Sequence, residues 1–234
     1  MVIALLSATA FAWDVTETPE GDPFYFSKLP IRWVFDTEGS PQGLDAAAQA
    51  AAVAVAFEAW TKVSKTEIEF LHDPGGPPQG LSRIFWADEW DFDPNFLAVT
   101  TTEASSSGDI LAFDMVFNPN TRWTTDPNPL DMDFQNTVTH EIGHGLGFAH
   151  SDVEDATMYA KTLPGDTDKR DLAADDVAGM QFLYQPRMPE KTPLERLFGC
   201  NSIGTGNTTT SLVSLSVLFL SLRRRPLAAA ARHV

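Results

Sequence analysis

Apolar residues along the chain fall into two kinds of pattern, and each predicts a different element. Ile31, Trp33 and Phe35 recur at every second residue, the period of a strand with one buried face. Leu44 to Val63 is dominated by alanine, so apolar groups lie on every side, and its length and helix propensity predict a helix. Ile68 to Leu71 reads as a second short strand, followed by DPGGPPQG, which proline and glycine make a loop. Arg83 to Trp86, Phe96 to Thr102 and Ile110 to Phe117 supply three further strands. Asp131 to Gly147 and Leu172 to Tyr184 are the remaining helices. Strands with helices interspersed indicate an α+β domain built on one twisted, mixed, five-stranded sheet.

The two ends differ from this middle. Residues 1 to 12, MVIALLSATAFA, form an apolar run ending in small residues, the layout of a secretory signal peptide without its basic start. Residues 13 to 187 have the composition of a globular domain, long enough for one sizeable core. Residues 188 to 207 are rich in Pro, Gly, Ser and Thr and read as a linker. In residues 208 to 225 a short apolar segment precedes Arg223, Arg224 and Arg225, and residues 226 to 234 form a tail. Leu212 to Leu222 falls short of the roughly 20 residues that a stable membrane span needs, so a sorting signal or weak anchor is expected there. Cys200 with the apolar stretch and arginines resembles C-terminal sorting signals of some Gram-negative bacteria. Contact with a membrane or with sorting machinery through this tail follows from that likeness.

Charge narrows the choice of partners. The net charge is −16, and four arginines lie in the last twelve residues, so the rest of the surface is more acidic still. Such a surface repels nucleic acid and keeps a secreted, monomeric protein soluble. Asp88, Glu89, Asp91, Asp93 and Asn95 cluster in DEWDFDPN and offer oxygen ligands of the type calcium takes. A solvated acidic loop is the favoured reading of that cluster, with calcium as the alternative.

The chemistry is concentrated in residues 140 to 150, HEIGHGLGFAH. Residues four apart on a helix share a face, so His140 and His144 can aim ring nitrogens at one metal ion. Glu141, one step round, is badly placed as a ligand and well placed to hydrogen-bond a water, which makes it the candidate general base. Gly147 stands where the helix must stop, and a left-handed glycine there turns the chain so that His150 comes back to the metal. Three protein ligands leave a fourth position open, the arrangement of a catalytic zinc. Three of the five histidines fall in this one window.

The extended motif HExxHxxGxxH is that of the metzincin metallopeptidases, and Met158 in ATMYA follows at a distance suited to their methionine turn beneath the metal. Ser151 after the third histidine and the Met158-Tyr159 pair resemble the matrixin branch; Thr157 and Ala160 depart from its turn. KLPIRWVFD resembles the first matrixin strand, LDAAAQAAAVAVAFEAWTKVS its first helix, and LAADDVAGMQFLY its closing helix. The resemblance covers Lys28 to Tyr184 and implies a zincin-like fold with a zinc cleft under an edge strand. It implies zinc on His140, His144 and His150, Glu141 as the catalytic base, and Met158 beneath the metal. Matrixins also carry a second, histidine-rich zinc site, and His72 alone is available for it, so that site is not expected. Cys200, the one cysteine, follows the motif, so latency through an upstream thiolate on the zinc is not expected either.

These readings lead to an extracytoplasmic zinc endopeptidase acting on extended protein or peptide substrates, which would pair with the edge strand Phe96 to Thr102. Ala160 to Arg170 would wall the selectivity pocket, and its polar sequence does not specify a preferred side chain. Two rivals remain: a surface binding module that keeps zinc without turnover, and an amidase acting on a small molecule.

Overall fold

A computed structural model describes residues 12–186. The signal-like residues before Ala12, the linker, Cys200, the apolar segment with its arginines and the tail lie outside the described residues. Within them the chain runs β1 (Ile31–Phe35), α1 (Ala46–Thr61), β2 (Phe70–His72), β3 (Leu81–Trp86), β4 (Ala98–Ala104) and β5 (Ile110–Phe117). It continues through two-residue strands β6 (Trp123–Thr124) and β7 (Met132–Asp133), then α2 (Phe134–Gly145), a 3-10 turn at Asp168–Arg170, and α3 (Ala174–Leu183).

The five-stranded sheet has the order β2-β1-β3-β5-β4. β1 pairs parallel with β2 and β3, and β3 pairs parallel with β5. Only β4 is antiparallel, running against β5 with Thr100 opposite Met115. It occupies an edge, so one row of its backbone groups is left without a strand partner. The mixed, twisted α+β sheet expected from the pattern is therefore the sheet found.

α1 resolves the ambiguity that alanine created. Gln49, Ala52, Val53, Ala56, Phe57 and Trp60 are buried, a stripe at three- and four-residue spacing, while Val55 on the other side is exposed. Asp45 caps the helix by accepting from the Ala48 amide at 2.8 Å. Gln49 is fully buried, and both ends of its amide are used: it accepts from Trp86 Nε1 at 3.0 Å and donates to the Leu44 carbonyl. Trp86 also stacks on Phe134 at the start of α2, with ring centroids 5.3 Å apart. Phe117 and Trp123 close the same aromatic cluster. Trp60 donates its indole N–H to the Thr139 carbonyl at 2.9 Å, fixing the end of α1 against the middle of α2.

Several boundaries shift for identifiable reasons. α2 begins at Phe134 and not at Asp131, because Met132 and Asp133 are taken by pairing with β6 and Asp133 then serves as the cap, accepting from Asn136 N at 2.8 Å. β4 begins at Ala98 and not at Phe96, since Phe96 N donates back to the Asp93 carbonyl in a turn. β2 runs over Phe70–His72, two residues later than expected from Ile68, whose side chain is buried just ahead of the strand. The 3-10 turn and β6 lie in segments where sequence periodicity gives no element, and β7 takes the first residues of the stretch expected to be helical.

Candidate metal centre and cleft

α2 places His140 and His144 on one face, and the end of the helix delivers His150. Gly147 has φ +103°, the left-handed region that favours glycine. Phe148 N donates to the Gly143 carbonyl and Gly147 N to the His144 carbonyl, both at 3.0 Å, the paired bonds of a Schellman stop. A side chain at Gly147 would also strike the Phe24 carbonyl, so both shape and conformation require glycine there. Ile142 and Leu146 are fully buried between the histidines, which anchors the helix to the core while its histidine face looks into the cleft.

The three rings converge. His144 Nε2 lies 3.2 Å from both His140 Nε2 and His150 Nε2. His140 Nδ1 is 2.6 Å from the Thr157 carbonyl and His144 Nδ1 is 2.8 Å from the Phe148 carbonyl. A carbonyl can only accept, so each Nδ1 is the protonated nitrogen and each Nε2 presents a lone pair. Neighbouring lone pairs repel, and a cation among them turns that repulsion into ligation. The donor set therefore fits a zinc ion, with backbone carbonyls orienting two of the ligands. Burial, with the neighbouring His144 and Lys169, holds His140 well below the usual imidazole pKa, which keeps its nitrogen free of a second proton.

A second layer of bonds holds this geometry. Ser151 N donates to the Met158 carbonyl at 2.8 Å, closing the turn that brings Met158 under α2. Met158 is buried against Gly143, where any side chain would collide with its sulfur and with Trp60. The Thr157 and Met158 amides donate to the Asp176 carboxylate at 2.8 and 3.0 Å, and Ala173 N donates to it at 2.9 Å. Asp176 thus supports the turn whose Thr157 carbonyl orients His140. Its neighbour Asp175 accepts from Ser151 Oγ at 2.7 Å and from the Ala12 and Trp13 amides at 2.7 and 3.1 Å. Burial raises the Asp176 pKa, opposed by its three backbone donors.

Glu141 points from α2 to the sheet. Thr100 Oγ1, on the edge strand β4, donates to its Oε2 at 2.7 Å. Burial pushes the Glu141 pKa up to about 7, against the opposing pull of the Thr100 bond and of Lys169. A carboxylate near neutrality is poised both to take and to return a proton. Beside it a cavity of about 470 Å³ runs between β4 and the chain after Met158, lined by Ala98, Thr100, Asn136, Ala160 and Lys169 among others.

His140, Glu141, His144, His150 and Met158, singled out from the motif, thus stand together. Thr100, Asp176 and Lys169 were missed. Thr100 and Lys169 lie in segments with no motif of their own; Asp176 had a signal in the Asp175-Asp176 pair at the start of a helix, which reads first as dipole compensation. The acidic cluster behaves differently. Asp93 accepts from Asn95 N and Nδ2 at 2.8 and 3.0 Å and so closes its own turn. Among the described residues, the one group of three or more metal-type side chains is His140, His144 and His150. His72, on β2, stacks on Trp33 with centroids 4.5 Å apart.

A helix carrying two of three converging histidines, a glycine stop, the third histidine and a buried methionine turn, beside the edge strand of a mixed sheet, form the arrangement of a metzincin-type site. A family model described as matrixin matches residues 25–185. The chain belongs to the matrixin family, whose metal is zinc. It is 36% identical to human matrilysin over 108 residues, 46% of this chain and 39% of that protein. It is 31% identical to cat matrilysin over 138 residues, covering 58% and 51% of the two chains. Against metalloendoproteinase 1-MMP of Arabidopsis thaliana it is 51% identical over 55 residues, 24% of this chain and 15% of the relative. The chain thus spans about half or less of the length of these relatives.

Proposed function

We propose that this chain is a zinc-dependent endopeptidase that hydrolyses peptide bonds in extended protein substrates, with His140, His144 and His150 as ligands and Glu141 as the base. The observation that carries the reading is the convergence of three Nε2 atoms, those of His140 and His150 each 3.2 Å from that of His144, beside a buried carboxylate and a free strand edge. Zinc, when bound, supplies Lewis acidity, polarising the scissile carbonyl and making water acidic enough to attack near neutral pH. Glu141 accepts the proton of the attacking water and then delivers it to the departing amine. Thr100 keeps that carboxylate aimed into the cavity, and the open edge of β4 binds substrate backbone as an added strand. Met158 supports the ligands from below through its packing at Gly143.

The matrilysins and plant metalloendoproteinases among its relatives favour this reading by their names. The free edge of β4 beside the cavity favours a long substrate over a small-molecule amide, because it offers main-chain hydrogen bonds that a small amide cannot use. Purified protein incubated with casein is expected to cleave it, to stop on chelation and to recover with zinc. Cleavage no greater than that of Glu141→Ala would leave a zinc-keeping binding module as the reading.

The extracytoplasmic location belongs to the same proposal, supported by the apolar segment 1 to 12 and the acidic surface. Among the described residues no helix is long and apolar enough to cross a membrane. N-terminal sequencing of the exported protein tests it: a start at or near Trp13 is expected, and full-length protein retained in the cytoplasm would refute it.

A further inference from the structure

Among the described residues, Lys169 is the one cation buried at the cavity wall. Its side chain comes from the 3-10 turn at Asp168–Arg170, which is fixed from two sides. The Lys169 amide donates to Asn136 Oδ1 at 2.8 Å, and Arg170 donates Nε to the Asp133 carboxylate at 2.9 Å. Both partners belong to the first turn and cap of α2, so the lysine is held in register with the histidine helix. The residue is 8% exposed and lines the cavity together with Asn136, Thr137, Ala160 and Thr162.

Its ammonium is under-used. One N–H goes to the Tyr159 carbonyl. His140 Nδ1, 3.5 Å away, is committed as a donor to Thr157 and cannot accept a second bond. Glu141, Asp176 and Asp166 face it electrostatically, yet no carboxylate among the described residues lies within ion-pair distance of Nζ. Asp176 is occupied by three backbone amides and Asp166 by Leu163 N. A buried ammonium with donors left over is costly unless an anion joins it. Around the lysine the wall is polar, with Asn136 donating to Thr162 Oγ1 at 3.1 Å and Leu163 turned mostly to solvent, whereas the apolar lining, Phe96, Leu97 and Val99, comes from β4 and the residues just before it.

We infer that the pocket beyond the methionine turn selects a substrate side chain bearing a carboxylate, aspartate or glutamate, which pairs with Lys169. This rests on the peptidase reading and names the preference that Ala160 to Arg170 leave open in sequence. The carboxylate would give Nζ the direct acceptor that none of the facing carboxylates supplies, whereas an aliphatic side chain would bury the ammonium further without one. Selection by a desolvated ion pair outweighs selection by one or two methylenes.

Two experiments test it. A random peptide library cleaved by the zinc-loaded protein and read by mass spectrometry should show Asp or Glu enriched about tenfold or more at one position beside the cut. Lys169→Met should lose that enrichment and gain aliphatic residues, while Lys169→Arg should retain it. Separately, calorimetry with the Glu141→Gln variant should show the aspartyl form of a peptide binding more tightly than its leucyl form, a difference absent when Lys169→Met is added. Aliphatic preference in the wild type, or unchanged preference in Lys169→Met, overturns the inference and leaves the peptidase reading standing. Selective binding without any cleavage supports the pocket and sinks the peptidase reading.

Discussion

The two walls of the cleft are built on opposite principles. The lower wall, α2 with its glycine stop and the Met158 turn, is held by side chains bonded to buried backbone: Asp176 to three amides, the Thr157 and Phe148 carbonyls to two imidazoles, Trp60 to Thr139. The upper wall, β4 and the loop before it, has one strand partner, an open edge and a run of exposed residues from Asp91 to Asn95. Ligands for a metal must be fixed to a fraction of an ångström, so redundancy serves the lower wall. A strand edge that accepts many sequences needs only its unpaired amides and carbonyls, so redundancy there would add nothing.

Substitutions on each side sharpen that contrast. His144→Ala removes the central ligand, and metal analysis should find zinc falling from about one per chain to background; equal zinc in variant and wild type would break the ligand assignment. Asp176→Ala strands the Thr157, Met158 and Ala173 amides and should cost about 3–5 kcal/mol in denaturant unfolding. It should also weaken zinc by about 10–100-fold through the loosened Thr157 carbonyl. A variant that keeps full zinc affinity would mean that the turn holds itself. Met158→Leu preserves volume in a fully packed site and should cost less than about 1.5 kcal/mol, measured the same way, with zinc content unchanged. Asp93→Ala, on the upper wall, should cost about 0.5–1 kcal/mol for its lost turn bonds. A zinc deficit in that variant would show that the walls are coupled after all.

Much of this layout is legible in the sequence wherever a local pattern suffices. β5 spans the residues expected of it, and the motif names five side chains that do stand together, because helix spacing and a glycine stop are local geometry. What escapes is tertiary. The buried stripe of α1 is hidden by alanine, which looks alike on every face; only Phe57 and Trp60 hint at it. β6 and β7 are two residues each and exist through pairing with one another. Thr100 meets Glu141 across a separation of 41 residues, and Lys169 sits in a segment that reads as polar loop, although its neighbours Asn136 and Asp133 bind it to the helix.

The dependence of the histidine site on Asp176 also sets an order in time. Synthesis proceeds from the N-terminus, so Met158 leaves the ribosome 18 residues ahead of the carboxylate on which its amide rests. At about 5–20 residues per second that is an interval of roughly 1–4 s. During it the three imidazoles are present in the nascent chain while the turn that aligns His140 still lacks its support. Full rigidity of the centre arrives with α3, after the sheet, α1 and α2 have already been made.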